Sequence, residues 1–76
     1  MDLREVFATN LRRLRHAKGL SQDDLAYEAE FSRSYLSQLE KGGYYVSIKI
    51  IGRLASKLGV EPDEFLKRPV KRVRGR

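Results

Sequence analysis

Apolar residues recur along this chain at helical spacing, in short blocks separated by polar punctuation. Leu3, Val6, Phe7, Leu11 and Leu14 form one stripe in steps of three and four, the period of a single helix face. Ile51, Leu54, Ala55 and Leu58 form another. Gly19, Gly42 and Gly59 each follow a block with a lysine near its end. Glycine takes the left-handed conformation just past a helix without a Cβ clash, and a cation there suits the helix dipole. Ser21, Ser32 and Ser47 each precede a helix-like run, where a serine oxygen can accept the unpaired N–H groups of a first turn. The pairs Leu20/Leu25, Phe31/Leu36, Val46/Ile51 and Val60/Phe65 flank these starts, the last behind Glu61 and Pro62. Their spacing is that of a hydrophobic staple. Asp2 and Glu5 have the spacing of a capping box.

The pattern predicts an all-α, compact five-helix bundle, with helices near 3–18, 22–29, 33–41, 48–58 and 62–67. The segment Tyr45–Ile50 alternates like a strand and is rich in β-formers. The helical assignment is preferred because the 3.6-residue stripe runs on to Gly59 and a lone hairpin would have no partner strand. The predicted division is a domain over 1–66 and a basic tail over 67–76 without regular structure.

Size and composition narrow the chemistry. Seventy-six residues make one small domain that buries only about 60% of its unfolded surface. There is no cysteine and one histidine, His16, so neither disulfides nor a Cys/His metal site is expected. His16 reads as a surface residue. No apolar run approaches the ~18 residues of a membrane span, and no signal peptide follows Met1; a soluble, cytoplasmic protein is expected. The net charge of +6 suggests an anionic partner. Its placement is uneven. Lys67, Arg68, Lys71, Arg72, Arg74 and Arg76 supply all six excess charges, whereas residues 1–66 hold ten basic and ten acidic residues.

Residues 21–41, SQDDLAYEAEFSRSYLSQLEK, read as two helices joined by a very short connection. That is a helix-turn-helix, whose second helix can enter the DNA major groove. On a wheel of about 100° per residue, Leu36 and Leu39 point to the core. The opposite arc holds Arg33, Ser34, Ser37, Gln38 and Lys41. Arginine can donate two bonds to guanine, glutamine can pair with adenine, and serine can serve base or phosphate. Gln22 and the first N–H groups of its helix can hold a phosphate. Any solvated helix also presents a polar face, so polarity alone does not decide.

The wider order of motifs does. LRRLRHAKGLSQDDLA, FSRSYLSQLEKG and IGRLASKLGVEPDEFL follow one another in the order and spacing of the Cro/C1-type, or XRE-family, helix-turn-helix proteins. From Leu11 to Leu66 the chain resembles that family, and the resemblance implies a lambda-repressor-like domain that binds operator DNA as a symmetric dimer. It implies that Arg33, Ser34, Ser37 and Gln38 read bases and that Gln22 clamps a phosphate. Ser32, Tyr35 and Lys41 lie where the family contacts the DNA backbone. Arg15 and Glu40 match a buried ion pair between the first and third helices.

Three features depart from the family. Glu30 stands in the turn, where glycine is common; a left-handed non-glycine residue costs roughly 1 kcal/mol. Gly43-Tyr44-Tyr45-Val46 replaces a basic loop that often touches the DNA backbone. Tyr44 is a candidate phosphate donor there, although the preferred placement of the two tyrosines is one on the core and one half-exposed. The tail lies beyond the family domain. It reads foremost as an arm tracking phosphates or the minor groove; a solubilising tail with no defined contact is a second reading, and one that binds RNA or an acidic membrane face a third. Arg12, Arg13 and Lys18 read as a solvated face, Asp23 and Asp24 as complements to a helix dipole, and Gly52 as a close-packing position.

The expected function is a sequence-specific, DNA-binding transcriptional regulator, acting as a homodimer on a (pseudo)palindromic operator. A single copy offers few base contacts, and two-fold pairing doubles them. The candidate dimer surface lies around the fifth helix and the end of the fourth, with Phe65 and Leu66 as its residues. Such a chain would be bacterial or phage-encoded and nucleoid-associated through its DNA. No cofactor, metal, small-molecule effector or catalytic set is expected. Control would come from protein concentration or a regulatory protein partner, as in small phage repressors, restriction–modification controllers and antitoxins. The competing reading is an RNA-binding or protein-interaction adaptor anchored by the tail. Removing residues 67–76 should weaken duplex binding and leave the preferred sequence intact. It should also flatten the salt dependence, by about 0.9 in log–log slope for each phosphate no longer neutralised. Binding titrations across a salt series check this.

Overall fold

The computed structural model describes residues 2–68. They form four α-helices, α1 (Leu3–Ala17), α2 (Gln22–Ala29), α3 (Arg33–Glu40) and α4 (Ile48–Leu58), followed by a short 3-10 helix at Pro62–Leu66. The described residues contain no strand; within Tyr45–Ile50, Ser47 caps α4 and Ile48–Ile50 form its first turn. The expected fifth α-helix is therefore a five-residue 3-10 turn. Pro62 has no N–H to give, and the segment closes with a bond from Glu64 N–H to the Glu61 carbonyl at 3.0 Å. So short a stretch has little room for bonds spanning four residues, and the tighter turn is the one used in short pieces.

Local chemistry accounts for the helix starts. The Ser21, Ser32 and Ser47 hydroxyls accept from the backbone N–H of Asp24, Tyr35 and Ile50 at 3.0, 3.0 and 3.2 Å. Each leaves one fewer first-turn donor unpaired, a gain of about 1 kcal/mol per cap. The capping box expected at Asp2 and Glu5 takes another form. Asp2 accepts from Arg4 N–H at 2.7 Å, and the Arg4 guanidinium returns to the same carboxylate. A complete box occurs instead at Ser21 and Asp24, where each side chain serves the other's backbone. Gly19, Gly42 and Gly59 all adopt positive φ, between +68° and +76°. At Gly59 this lets the N–H close α4 on the Ala55 and Ser56 carbonyls.

The core draws on every element: Phe7, Leu11 and Leu14 from α1, Leu25, Ala26 and Ala29 from α2, Leu36 and Leu39 from α3, and Leu54, Ala55 and Leu58 from α4. The four residues expected at staple positions, Leu20, Phe31, Val46 and Val60, pack against it from the connections. Leu3 departs from its stripe, being 53% exposed at the first turn of α1. Phe65 does not lie on the surface. It is fully buried and stacked on Phe7 at 5.5 Å between ring centroids. The 3-10 turn aims Phe65 inward and leaves Leu66 half exposed, so of the two candidate dimer residues only Leu66 is available. Asn10, buried on α1, donates to the Phe65 and Lys67 carbonyls at 2.9 and 2.7 Å and fastens this turn to α1.

Two surface carboxylates hold the ends. Hydrogen bonding to Arg4 keeps Asp2 below its ordinary 3.8. Lys67 and then Arg13 keep Glu64 below 4.5. A lowered carboxylate supports the fold above its ordinary value and loses that support as the pH falls through the lowered one. These two ties are thus intact at neutral pH and open in acid.

Gly52 sits exposed in α4, and a Cβ there would meet nothing within 4 Å. It is not a close-packing position. Gly52→Ala should stabilise the domain by about 0.5–1 kcal/mol. Gly59→Ala should destabilise it by about 1 kcal/mol, because of these two glycines only Gly59 has a left-handed backbone. Thermal midpoints of the two variants should move in opposite directions.

Candidate nucleic-acid interface

Two eight-residue helices, α2 and α3, meet across Glu30, Phe31 and Ser32. Glu30 closes α2 at φ 62°, ψ 41°, the one non-glycine residue with positive φ among those described. This left-handed step lets Phe31 N–H return to the Ala26 carbonyl at 2.9 Å and the chain reverse within three residues. Leu36 and Leu39 enter the core, so the opposite face of α3 is turned outward. Arg33, Ser34 and Gln38 are exposed on it, Ser37 is half-buried, and Lys41 is exposed at its C-cap. Ser32 is exposed, but its hydroxyl is engaged as the N-cap of α3.

The orientation of α3 is set from beneath. Arg15 Nε and Nη2 donate to the two oxygens of Glu40 at 2.6 and 2.9 Å, with both side chains buried. Arg15 Nη1 also donates to the Leu20 carbonyl at 2.8 Å. Gln22 Nε2 adds a third donor to Glu40 at 3.0 Å. The Arg12 guanidinium, expected on a solvated face, donates to the Glu40 carbonyl and completes the end of α3. Every buried polar side-chain atom among the described residues has a partner. The carboxylate thus links α1, α2 and α3. Half-buried Gln22 has a second amide hydrogen besides the one serving Glu40, because a carboxamide carries two.

Aromatic rings line one side of α3. Phe31 and Tyr35 meet edge to face at 5.2 Å, and Tyr35 stacks with Tyr44 at 5.7 Å. Tyr45 is 71% exposed, with the Arg4 guanidinium 4.6 Å over its ring. Neither adjacent tyrosine enters the core, contrary to expectation. Tyr44 is held by Tyr35 and Tyr45 by Arg4, both partners from other segments of the chain. Arg53 lies 5.3 Å over Phe31 and donates to the Ala29 carbonyl, bracing the turn.

Two further contacts lie outside the expected set. Asp23 Oδ1 lies 3.5 Å from Arg33 Nε. A Cβ on Gly43 would come within 2.6 Å of Gln38 Oε1, so the Gln38 carboxamide lies folded against that turn. A glycine just after a helix is the available signal for the second; nothing in the spacing marks the first. Of the tail cations, Lys67 pairs with Glu64 at 2.9 Å and Arg68 is exposed. Lys71, Arg72, Arg74 and Arg76 lie outside the described residues. The start of α1, the 44–46 loop, the start of α4 and the end of the 3-10 turn enclose an apolar groove of about 230 Å³ lined by Leu3, Phe7, Val46, Ile48, Ile51 and Leu66. Ile48 stands at its edge, 87% exposed. Among the described residues no helix is long and apolar enough to cross a membrane.

Residues 6–66 match the helix-turn-helix domain family. The chain belongs to that family, in agreement with the Cro/C1-type motifs of its sequence. It is 38% identical over 66 residues to an uncharacterized HTH-type transcriptional regulator of Sinorhizobium fredii, covering 87% of this chain and 86% of the relative. It is 35% identical over 66 residues to the control protein C.BamHI of Bacillus amyloliquefaciens, covering 86% and 82%. The crystal structure of a hypothetical transcription factor from Neisseria superposes with a TM-score of 0.85 at 37% identity, covering 90% of this chain and 78% of that one. The restriction-modification controller protein C.AhdI of Aeromonas hydrophila gives 0.77 at 44% identity, covering 82% and 94%.

Glu40→Ala would leave Arg15 buried without its counter-ion and should cost about 3–5 kcal/mol. An Arg15→Met, Glu40→Leu double variant should recover much of that stability. Chemical denaturation of the two variants measures the difference.

Proposed function

We propose that this chain is a sequence-specific DNA-binding transcriptional regulator. It inserts α3 in the major groove and acts as a homodimer on a (pseudo)palindromic operator. The observation that carries the reading is the outward face of α3. Arg33, Ser34 and Gln38 are exposed together on a helix whose tilt is locked by the buried Arg15–Glu40 pair. Donors for guanine and adenine edges thus sit on a rigid element, as direct readout needs. The relatives named as transcriptional regulators and restriction-modification controllers support it.

In this reading Arg33, Ser34, Ser37 and Gln38 face bases. Gln22, Ser32, Tyr35, Lys41 and Tyr44 face the backbone, with Ser32 contributing through its position at the helix start, since its oxygen already caps α3. The domain runs from residue 1 to 66 and the tail from 67 to 76 adds sequence-independent affinity. Lys67, the first residue of the tail, is held to α1 by the Asn10 bond to its carbonyl. Its location would be the cytoplasm, with control by concentration or a protein partner.

The groove beside Ile48 supports the homodimer better than Phe65 does. Leu3, Tyr45, Ile48 and Leu66 expose apolar surface around one hollow, which would form the apolar centre of an interface between two copies. A protruding Ile48 next to a hollow is self-complementary under a two-fold axis, each knob filling the other copy's hollow. Two α3 helices would then meet half-sites about 34 Å apart.

Selection from a random duplex pool tests the reading. Enrichment of a two-fold symmetric site is expected, and no enrichment would overturn it. Arg33→Ala and Gln38→Ala should each weaken the selected site by about 10- to 100-fold and leave random duplex nearly unaffected. Ile48→Asp should shift sedimentation to the monomer without unfolding the domain. If only tail removal matters, for RNA and DNA alike, the chain is an RNA-binding adaptor instead.

A further inference from the structure

We infer that Asp23 is a positioning residue for Arg33, holding the guanidinium so that its outer edge is presented to a base. The inference rests on the DNA-reading role proposed above for α3. Asp23 and its neighbour Asp24 occupy the first turn of α2, yet they do different things. Asp24 completes the capping box with Ser21. The Asp23 carboxylate instead reaches across the turn to α3, with Oδ1 3.5 Å from Arg33 Nε. Both side chains are open to solvent, at 73% and 63% exposure. In water such a pair contributes little to stability, so stability is a weak reason for the contact.

The geometry has a chemical consequence. Arginine can offer a guanine either its outer Nη1/Nη2 edge or its side Nε/Nη2 edge. The nearest approach to Asp23 is an ion-pair contact at Nε, 3.5 Å away, so the carboxylate sits beside the side edge rather than the outer pair. Two parallel N–H donors on that outer edge match the O6 and N7 acceptors of guanine. As DNA excludes water from the pair, the attraction between Asp23 and Arg33 strengthens, and the guanidinium is ordered where it is needed. The same carboxylate is a liability for indiscriminate binding. It is an anion at the rim of a surface that must approach phosphates, and it opposes every duplex alike. Asp23 therefore exchanges general affinity for discrimination at one base pair.

This predicts two effects of opposite sign from one substitution. In the full chain, Asp23→Asn should bind random duplex about two- to threefold more tightly, because one repelling charge is gone. At the operator position that Arg33→Ala makes permissive, Asp23→Asn should lose about fivefold or more of the wild-type discrimination. In the Arg33→Ala background Asp23→Asn should change nothing further at that position. The measurement is duplex selection followed by titration of the selected site, its single-position variants and random duplex, with circular dichroism to confirm the fold.

Several outcomes would overturn the inference. Discrimination at the Arg33 position could be unchanged, or all duplexes could weaken together with a lowered thermal midpoint, the mark of an aspartate that serves only the α2 dipole. An effect that persists without Arg33, or falls on a different base pair, would mean that Asp23 itself accepts from a base. If the wild-type chain selects no duplex sequence, the functional reading fails and this inference with it. Selection by the wild type with an unaltered Asp23→Asn profile sinks this inference alone.

Discussion

The buried bond between Arg15 and Glu40 is the constraint around which the domain is arranged. Taking a carboxylate and a guanidinium out of water is costly, and their attraction offsets the cost only when the remaining donors and acceptors are satisfied. Glu40 meets that condition with two donors from Arg15 and one from Gln22. Arg15 meets it with the Leu20 carbonyl. These partners come from α1, from the connection to α2, from the first turn of α2 and from the last turn of α3. No one of them can shift without leaving a buried charge short of a partner. Together with the fully buried Leu36 and Leu39, this network ties α3 to α1 and α2.

The turn between α2 and α3 is tuned less for stability than for shape. Glu30 sits where glycine would be at ease, and the strain is held by surroundings that fit. Phe31 closes the turn against the core, Arg53 covers it, and Tyr35 and Tyr44 extend the aromatic row along α3. Backbone strain of this kind persists where neighbouring contacts over-determine the conformation. Here those contacts also brace the helix proposed to meet DNA.

Charge is divided by purpose along the chain. The tail carries the whole excess of +6, and the body is neutral. Within the body, several charged groups are engaged locally: Arg12 on the end of α3, Arg13 on Glu64, Arg4 on Asp2 and the Tyr45 ring. A neutral body cannot attract a polyanion by net charge. In the proposed DNA-binding role its contribution would come from placed donors and acceptors, and long-range attraction would fall to the tail.

Helix starts and ends were legible in the sequence because they depend on residues three or four apart. A serine and the N–H it accepts are neighbours in the chain, so Ser21, Ser32 and Ser47 marked their helices unaided, as Gly19, Gly42 and Gly59 marked turns. The outward arc of α3 followed from the same periodicity once Leu36 and Leu39 were assigned inward, and the family of the chain from the order of its motifs. Tertiary structure decided whatever joins distant residues. It drew Phe65 into the core and left Leu66 outside, tied Asn10 to carbonyls 55 and 57 residues away, and set Arg12 on Glu40. It exposed Ile48 beside a hollow, and brought Asp23 to Arg33. Chain neighbours meet whatever the fold, so their chemistry can be read in one dimension. Residues far apart meet only after the whole core has chosen its packing, and their spacing carries no trace of that choice.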